Sequence, residues 1–118
     1  MLQESGSVKS SRKSPPDAEN VYDDGFLHIE YNNYFTSCGG KTVKFSRVNF
    51  LILSMLAKNI GHYVPAETIW RQLWIDGKPF NTESFKVYVC GLRRQLAPFN
   101  IRIETKINTG YCLVSAGH

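Results

Sequence analysis

The segment from Asn81 to Val114 constrains this chain more than any other. Phe85, Val89, Leu92 and Leu96 recur at i, i+4, i+7 and i+11, the spacing of one buried helical stripe, and the helix begins near Thr82. Pro98 stops it, because a proline removes a backbone donor and clashes with the preceding turn. At about 100° per residue the opposite face holds Glu83, Val87, Cys90, Gly91 and Arg94. Lys86 and Arg93 flank that face on one side, Ser84 and Tyr88 on the other. Ile101, Ile103 and Thr105 then alternate with Arg102, Glu104 and Lys106. Asn108-Thr109-Gly110 turns the chain and Tyr111 to Val114 returns, so a β-hairpin follows the helix directly. Nucleic-acid binders use a cationic helix beside a cationic hairpin, because the helix can enter a groove while the hairpin reaches the neighbouring backbone.

Two helices precede this unit. Ser46 can cap the first by accepting an N–H of the opening turn. Val48, Leu51, Ile52, Met55 and Leu56 supply its apolar stripe, and Phe50 and Leu53 widen it, which predicts burial on more than one side. Lys58 and Gly61 are stop signals. Pro65 suits the first position of the second helix, with Glu67 in its first turn and Ile69, Trp70, Leu73 and Trp74 on its apolar face. Asp76-Gly77 and Pro79 end it. Two helices joined by a brief connection form the front of a helix-turn-helix.

Residues 21–46 read as short strands. Phe26, His28 and Glu30 alternate with Leu27, Ile29 and Tyr31, and Asn32-Asn33 signals a turn. Tyr34 to Cys38 is a second strand, Gly39-Gly40 a turn, and Lys41 to Phe45 a third strand. Strands this short, joined by tight turns, imply a small antiparallel sheet that must pack on something else. The expected class is therefore α+β: a winged helix-turn-helix with an N-terminal antiparallel sheet, three helices and a C-terminal hairpin wing, over residues 21–118. Residues 1–20, rich in Ser, Lys and Pro, read as a disordered tail or interdomain linker. Within them Lys9, Arg12 and Lys13 either touch phosphates or are simply solvated.

The 118 residues carry a net charge of +4, unevenly spread. Residues 81–118 hold five Lys/Arg against two Asp/Glu, and residues 1–45 five against six. A basic C-terminal part fits either an anionic partner or a solvated cationic surface. Cys38, Cys90 and Cys112 are odd in number and far apart, without a CxxC or Cys/His ligand pair. They indicate neither a disulfide framework nor a metal site, and reduced thiols in a cytoplasmic protein fit them best. There is no apolar h-region and no apolar run approaching a membrane span. No nucleophile–base pair, glycine-rich phosphate loop or cofactor motif supports an enzyme. His28 and His62 have no carboxylate or cysteine partner at a telling spacing.

From about Val43 to Val114 the chain resembles the effector domain of OmpR/PhoB-type response regulators. VKFSRVNFLILSMLAKN resembles that family's first helix, IGHYVPAETIWRQLW its second, Phe85 to Leu96 its third, and TKINTGYCL its T-V-R-G-x-G-Y-R-L wing. The strands before Val43 fit the family's four-stranded N-terminal sheet. The resemblance implies that helix three lies in the DNA major groove and that the wing touches the adjacent minor groove. It places Lys86 toward DNA, Val87, Cys90 and Gly91 at base-facing positions, Arg93 and Arg94 at the basic pair, and Thr105 at a phosphate-contacting threonine. Tyr88, Lys106 and Asn108 complete the candidate DNA contacts. The connection between helices two and three, with Asp76, Gly77, Lys78 and Phe80, takes the position that contacts RNA polymerase in such regulators. The family also implies homodimers on tandem half-sites and a phosphoacceptor domain before this module, none of which lies in these residues. Gly91 and Ile107 stand where arginines are common, Glu83 replaces a common Arg, and Asn49 replaces the Glu of a capping box.

Each candidate also has a plainer reading. Lys86, Arg93 and Arg94 are DNA ligands or solvated charges, and Arg93 near a helix C-terminus suits the macrodipole. Tyr88 reaches a phosphate or covers the edge of helix two. Cys90 is a small residue permitting close approach, or a reactive thiol among cations. Gly91 costs about 1 kcal/mol against Ala in a helix, which close backbone approach would explain. Gly110 fits a turn requiring positive φ, and Tyr111 packing on helix three. The weakly polar face of Val87, Cys90 and Gly91 also suits a winged helix used for protein–protein contact.

Overall fold

The computed structural model describes residues 20–73 and 79–115. The tail expected over residues 1–20 lies outside them except for Asn20, as do Trp74, Asp76, Gly77 and Lys78. The described order is β1 (Val21–Asp23), β2 (Leu27–Glu30), β3 (Phe35–Cys38), β4 (Lys41–Val43), α1 (Arg47–Lys58), α2 (Ala66–Leu73), α3 (Thr82–Leu96), β5 (Ile101–Lys106) and β6 (Gly110–Ser115).

The N-terminal sheet is antiparallel throughout, in the order β1-β2-β3-β4. Its register pairs Leu27 with Cys38 and Ile29 with Thr36, and all four are buried on one face. β1 was expected only from the family resemblance, since three residues are too few to show a period. An Asp turn joins it to β2: the Asp24 Oδ1 accepts the N–H groups of Phe26 (2.9 Å) and Leu27 (2.8 Å). Several strand boundaries differ from expectation, and β2 is Leu27–Glu30, without Phe26 or Tyr31. Tyr34 is not in β3 but caps a 3-10 turn at φ 51°, its ring stacked 4.8 Å from Phe50. β4 ends at Val43, two residues before Phe45.

The outer face of the sheet corrects the sequence reading of His28. Asp23 lies directly across the β1–β2 ladder from it and Glu30 two residues along the same face. His28 Nδ1 meets Asp23 Oδ2 at 2.9 Å and Nε2 meets Glu30 Oε2 at 2.9 Å. The Glu30 and Asp23 hydrogen bonds raise the imidazole pKa above 6.5. Its own bond to the Gly25 N–H, then His28, lowers that of Asp23, and His28, then Asn33, lowers that of Glu30. The His28 contribution to stability is therefore complete below its unfolded pKa and lost as pH rises through the higher folded value. The carboxylate contributions are present above their unfolded values and lost as pH falls through the lowered ones. Thermal melts should show the wild type losing more stability than His28→Gln as pH rises above 6.5. Parallel curves would show that the triad is fully screened by solvent.

Ser46 caps α1, its Oγ accepting the Asn49 N–H at 3.2 Å. The helix is buried on more than one side, as its width of apolar residues predicts. The most enclosed positions are Phe50, Ile52, Leu53, Leu56 and Ala57, while Val48 and Leu51 sit at the margin. Ser54 is also buried, which is possible because its hydroxyl donates to the Phe50 carbonyl at 2.9 Å. α2 starts one residue later than expected: the Pro65 carbonyl accepts from Ile69 N, so Pro65 precedes the helix and supplies its first acceptor. Ile69, Trp70 and Leu73 are buried as expected. Sheet and helices share one core that runs from Leu27 and Ile29 through Leu53 and Leu56 to Phe85, Leu92 and Leu113.

Candidate nucleic-acid interface

α3 owes its start to Asn81, whose Oδ1 accepts the Ser84 N–H at 2.9 Å. Phe85, Val89, Leu92 and Leu96 are buried, the four residues that the period selects. Phe85 lies edge-on to the Tyr111 ring at 5.3 Å, which fixes the helix against the hairpin, and at 6.3 Å from Phe80. With that stripe buried, Glu83, Lys86, Val87, Cys90, Arg93 and Arg94 are exposed. Val87 is 69% exposed, unusual for a β-branched side chain in mid-helix. Tyr88 is half-buried. Gly91 is half-buried too, on the flank facing α1, where a Cβ would meet Asn49 Nδ2 at 3.7 Å. An alanine would fit there. Arg94 leans along the helix, with Nη2 3.8 Å from Cys90 Sγ.

The wing is β5 paired with β6, in register from Ile101–Ser115 to Lys106–Gly110. Three of its attachments among the described residues tie it to the helices. Val64, between α1 and α2, exchanges both backbone hydrogen bonds with Tyr111 (2.7 and 2.9 Å), an isolated antiparallel bridge to β6. The Phe85–Tyr111 contact is the second. The third is Arg93, whose Nε and Nη2 donate to the Ile103 carbonyl at 3.0 and 2.9 Å, while Nη2 also reaches Thr105 Oγ1. The sequence offers Arg93 and Thr105 as separate DNA contacts, and the structure joins them to each other. No local signal foretells this, because the partners are ten and twelve residues apart in different elements.

Arg93→Ala should therefore cost about 1 kcal/mol in urea unfolding, the scale of a charged hydrogen bond at a partly solvated site. Arg93→Lys should not restore it, since one ammonium cannot replace a planar fork that donates along two directions. Full recovery by Lys would mean that only the charge matters.

At the wing tip, Thr109 N donates to Lys106 O at 3.0 Å and Asn108 takes φ 60°, a conformation that asparagine tolerates. Ile107 is 84% exposed there. Lys106 extends over the Tyr63 ring at 5.8 Å, so Tyr63, which carries no sequence signal for this role, steadies one of the wing's cations. Arg102 is turned toward Glu104 at 3.6 Å. Of the residues expected at a polymerase contact, Phe80 is described. It is exposed, with its ring edge-on to Trp70 at 5.7 Å.

Three helices closed by a hairpin, with the third presenting a cation-flanked face beside that hairpin, define a winged helix-turn-helix domain. The chain belongs to the family described as "Transcriptional regulatory protein, C terminal", which it matches over residues 40–113. It is similar to the response regulator ArlR of Staphylococcus epidermidis, at 26% identity over 108 residues, 90% of this chain and 49% of that protein. The chain thus spans about half the length of the curated relatives it matches. The Klebsiella pneumoniae RstA DNA-binding domain, solved in complex with the RstA box, superposes with a TM-score of 0.68 at 27% identity, covering 80% of this chain and 96% of that one. The DNA-binding domain of CpxR from E. coli shares the fold at a TM-score of 0.69 and 23% identity, covering 87% and 99%. The fold and family are those of the C-terminal domain of transcriptional regulatory proteins.

Proposed function

We infer that this domain binds double-stranded DNA sequence-specifically and regulates transcription as the effector module of a two-component response regulator. The observation that carries this reading is the exposed face of α3, with Lys86 and Arg94 on it, held beside a wing whose Lys106 is also exposed. A helix about 10–12 Å across fills a major groove about 12 Å wide. A hairpin fixed alongside must then lie over the backbone and the next minor groove. Lys86, Arg94 and Lys106 would meet phosphates there. Thr105 Oγ accepts from Arg93, which leaves its proton to donate to a phosphate oxygen. Tyr88 and Asn108 stand at the margins of the same surface, and Val87 and Cys90 at its centre.

Binding of the chain to duplexes selected from a random library should fall steeply with salt, because bound phosphates release counterions. Salt-insensitive capture would favour protein–protein docking through Val87 and Cys90. Lys106→Ala should weaken every duplex alike and lower the salt slope by about one. A changed sequence preference would mean that Lys106 reads bases. We also propose homodimers on tandem half-sites, a polymerase contact near Phe80, and a cytoplasmic location. Among the described residues no helix is long and apolar enough to cross a membrane.

A further inference from the structure

The most exposed large apolar side chain of the described residues stands at the tip of the wing. Ile107 is 84% exposed, between the cationic Lys106 and the left-handed Asn108. Isoleucine gains nothing from a solvated turn. It also cannot retreat, because the turn is closed by the Thr109-to-Lys106 hydrogen bond and the hairpin beneath it is tied to α3 by Arg93 and to Val64 by backbone pairing. A cation next to it suits a polyanion better than an apolar protein groove.

We propose that Ile107 makes the wing select against guanine in the minor groove, by packing a side chain without an acceptor where a guanine 2-amino group would project. This rests on the DNA-binding reading above. The minor groove presents acceptors at every base pair, and the 2-amino donor is the one feature that marks G·C. A side chain with neither donor nor acceptor strips water from the groove acceptors of A·T and G·C alike, so that cost does not separate them. It covers the guanine N–H and offers it no partner, and an unpaired buried donor is costly. The wing would thus prefer A·T by exclusion, and the base pair under Ile107 becomes part of the recognised sequence although no hydrogen bond reads it.

Inosine·cytosine separates the possibilities, because it keeps the major-groove pattern of G·C and lacks the 2-amino group. The chain should first be given duplexes selected from a random library. Each base pair flanking the α3 footprint is then replaced in turn by A·T, G·C or I·C. At the wing position, A·T and I·C should bind alike and G·C about tenfold more weakly. Ile107→Ala, an exposed substitution that leaves the fold intact, should bring the three within about twofold. Inosine·cytosine behaving like G·C at every position would overturn the proposal, since the discrimination would then be in the major groove. Discrimination that persists in Ile107→Ala would overturn it as well and assign the preference to groove width. Absence of binding to any duplex at low salt would be the failure of the DNA-binding reading itself, recognisable because no base substitution would matter.

Discussion

Gly110→Ala should destabilise the domain by roughly 3–5 kcal/mol, enough to leave much of a small domain unfolded. Two independent causes act at this residue. Its φ is +145°, a backbone conformation that L side chains rarely adopt, at a cost of order 1–3 kcal/mol. A Cβ built there would also fall on the carbonyl of Val64 and 2.8 Å from the Pro65 nitrogen. Both obstacles are backbone, so no rotamer change relieves them. Relief requires opening the Val64–Tyr111 pairing, which joins the wing to the helical core. Urea unfolding followed by fluorescence of the buried Trp70 would measure the loss. A loss below about 1 kcal/mol would show that the α1–α2 connection gives way easily and that the wing is less firmly held than its contacts imply.

The second large effect concerns binding. Replacing Lys86 and Arg94 together by Ala should weaken duplex binding about a hundredfold near physiological salt and flatten the log–log salt dependence by about two. The domain's stability should stay within about 0.5 kcal/mol of wild type, since both residues are exposed and neither forms an ion pair among the described residues. Arg94 reaches the Cys90 sulfur, a weak acceptor. The double variant thus tests the interface without testing the fold. Wild-type affinity and slope would mean that DNA, if bound, meets another surface. Arg93 behaves in the opposite way: its loss should act through the position of the wing and be visible in stability without any DNA present.

These two residues of one Leu-Arg-Arg run show how far the sequence can be read. The period of Phe85, Val89, Leu92 and Leu96 was enough to bury the right stripe of α3, because a helix repeats its faces every 3.6 residues whatever lies around it. It could put Arg93 and Arg94 on the outside but not tell them apart. The difference comes from Ile103 and Thr105, brought beside Arg93 when the hairpin folds back. The N-terminal sheet shows the same limit. Alternation in β2 distinguished two faces of the strand, yet the choice of Leu27 and Ile29 as the inner one was made by packing into the core shared with the helices. Of the two carboxylates that meet His28, Glu30 lies two residues along the same strand face and was open to the alternation, whereas Asp23 lies across a ladder whose first strand is too short to announce itself.

What the sequence determined alone is what depends on local geometry: three helices with their apolar stripes, the Ser46 cap of the first, a hairpin after the third, and the resemblance of their order to one family. Its four motifs span residues that later superpose as one winged helix. The tertiary structure decided which cations remain free and which hold the wing. It decided that Gly110 is required by a neighbouring backbone as well as by its own φ, and that Gly91 faces α1 with room for a side chain. The physical reason is common to all of these. Periodicity and turn chemistry act between residues a few positions apart, whereas the assignment of a guanidinium, an imidazole or a missing Cβ depends on atoms that only folding brings within 3 or 4 Å.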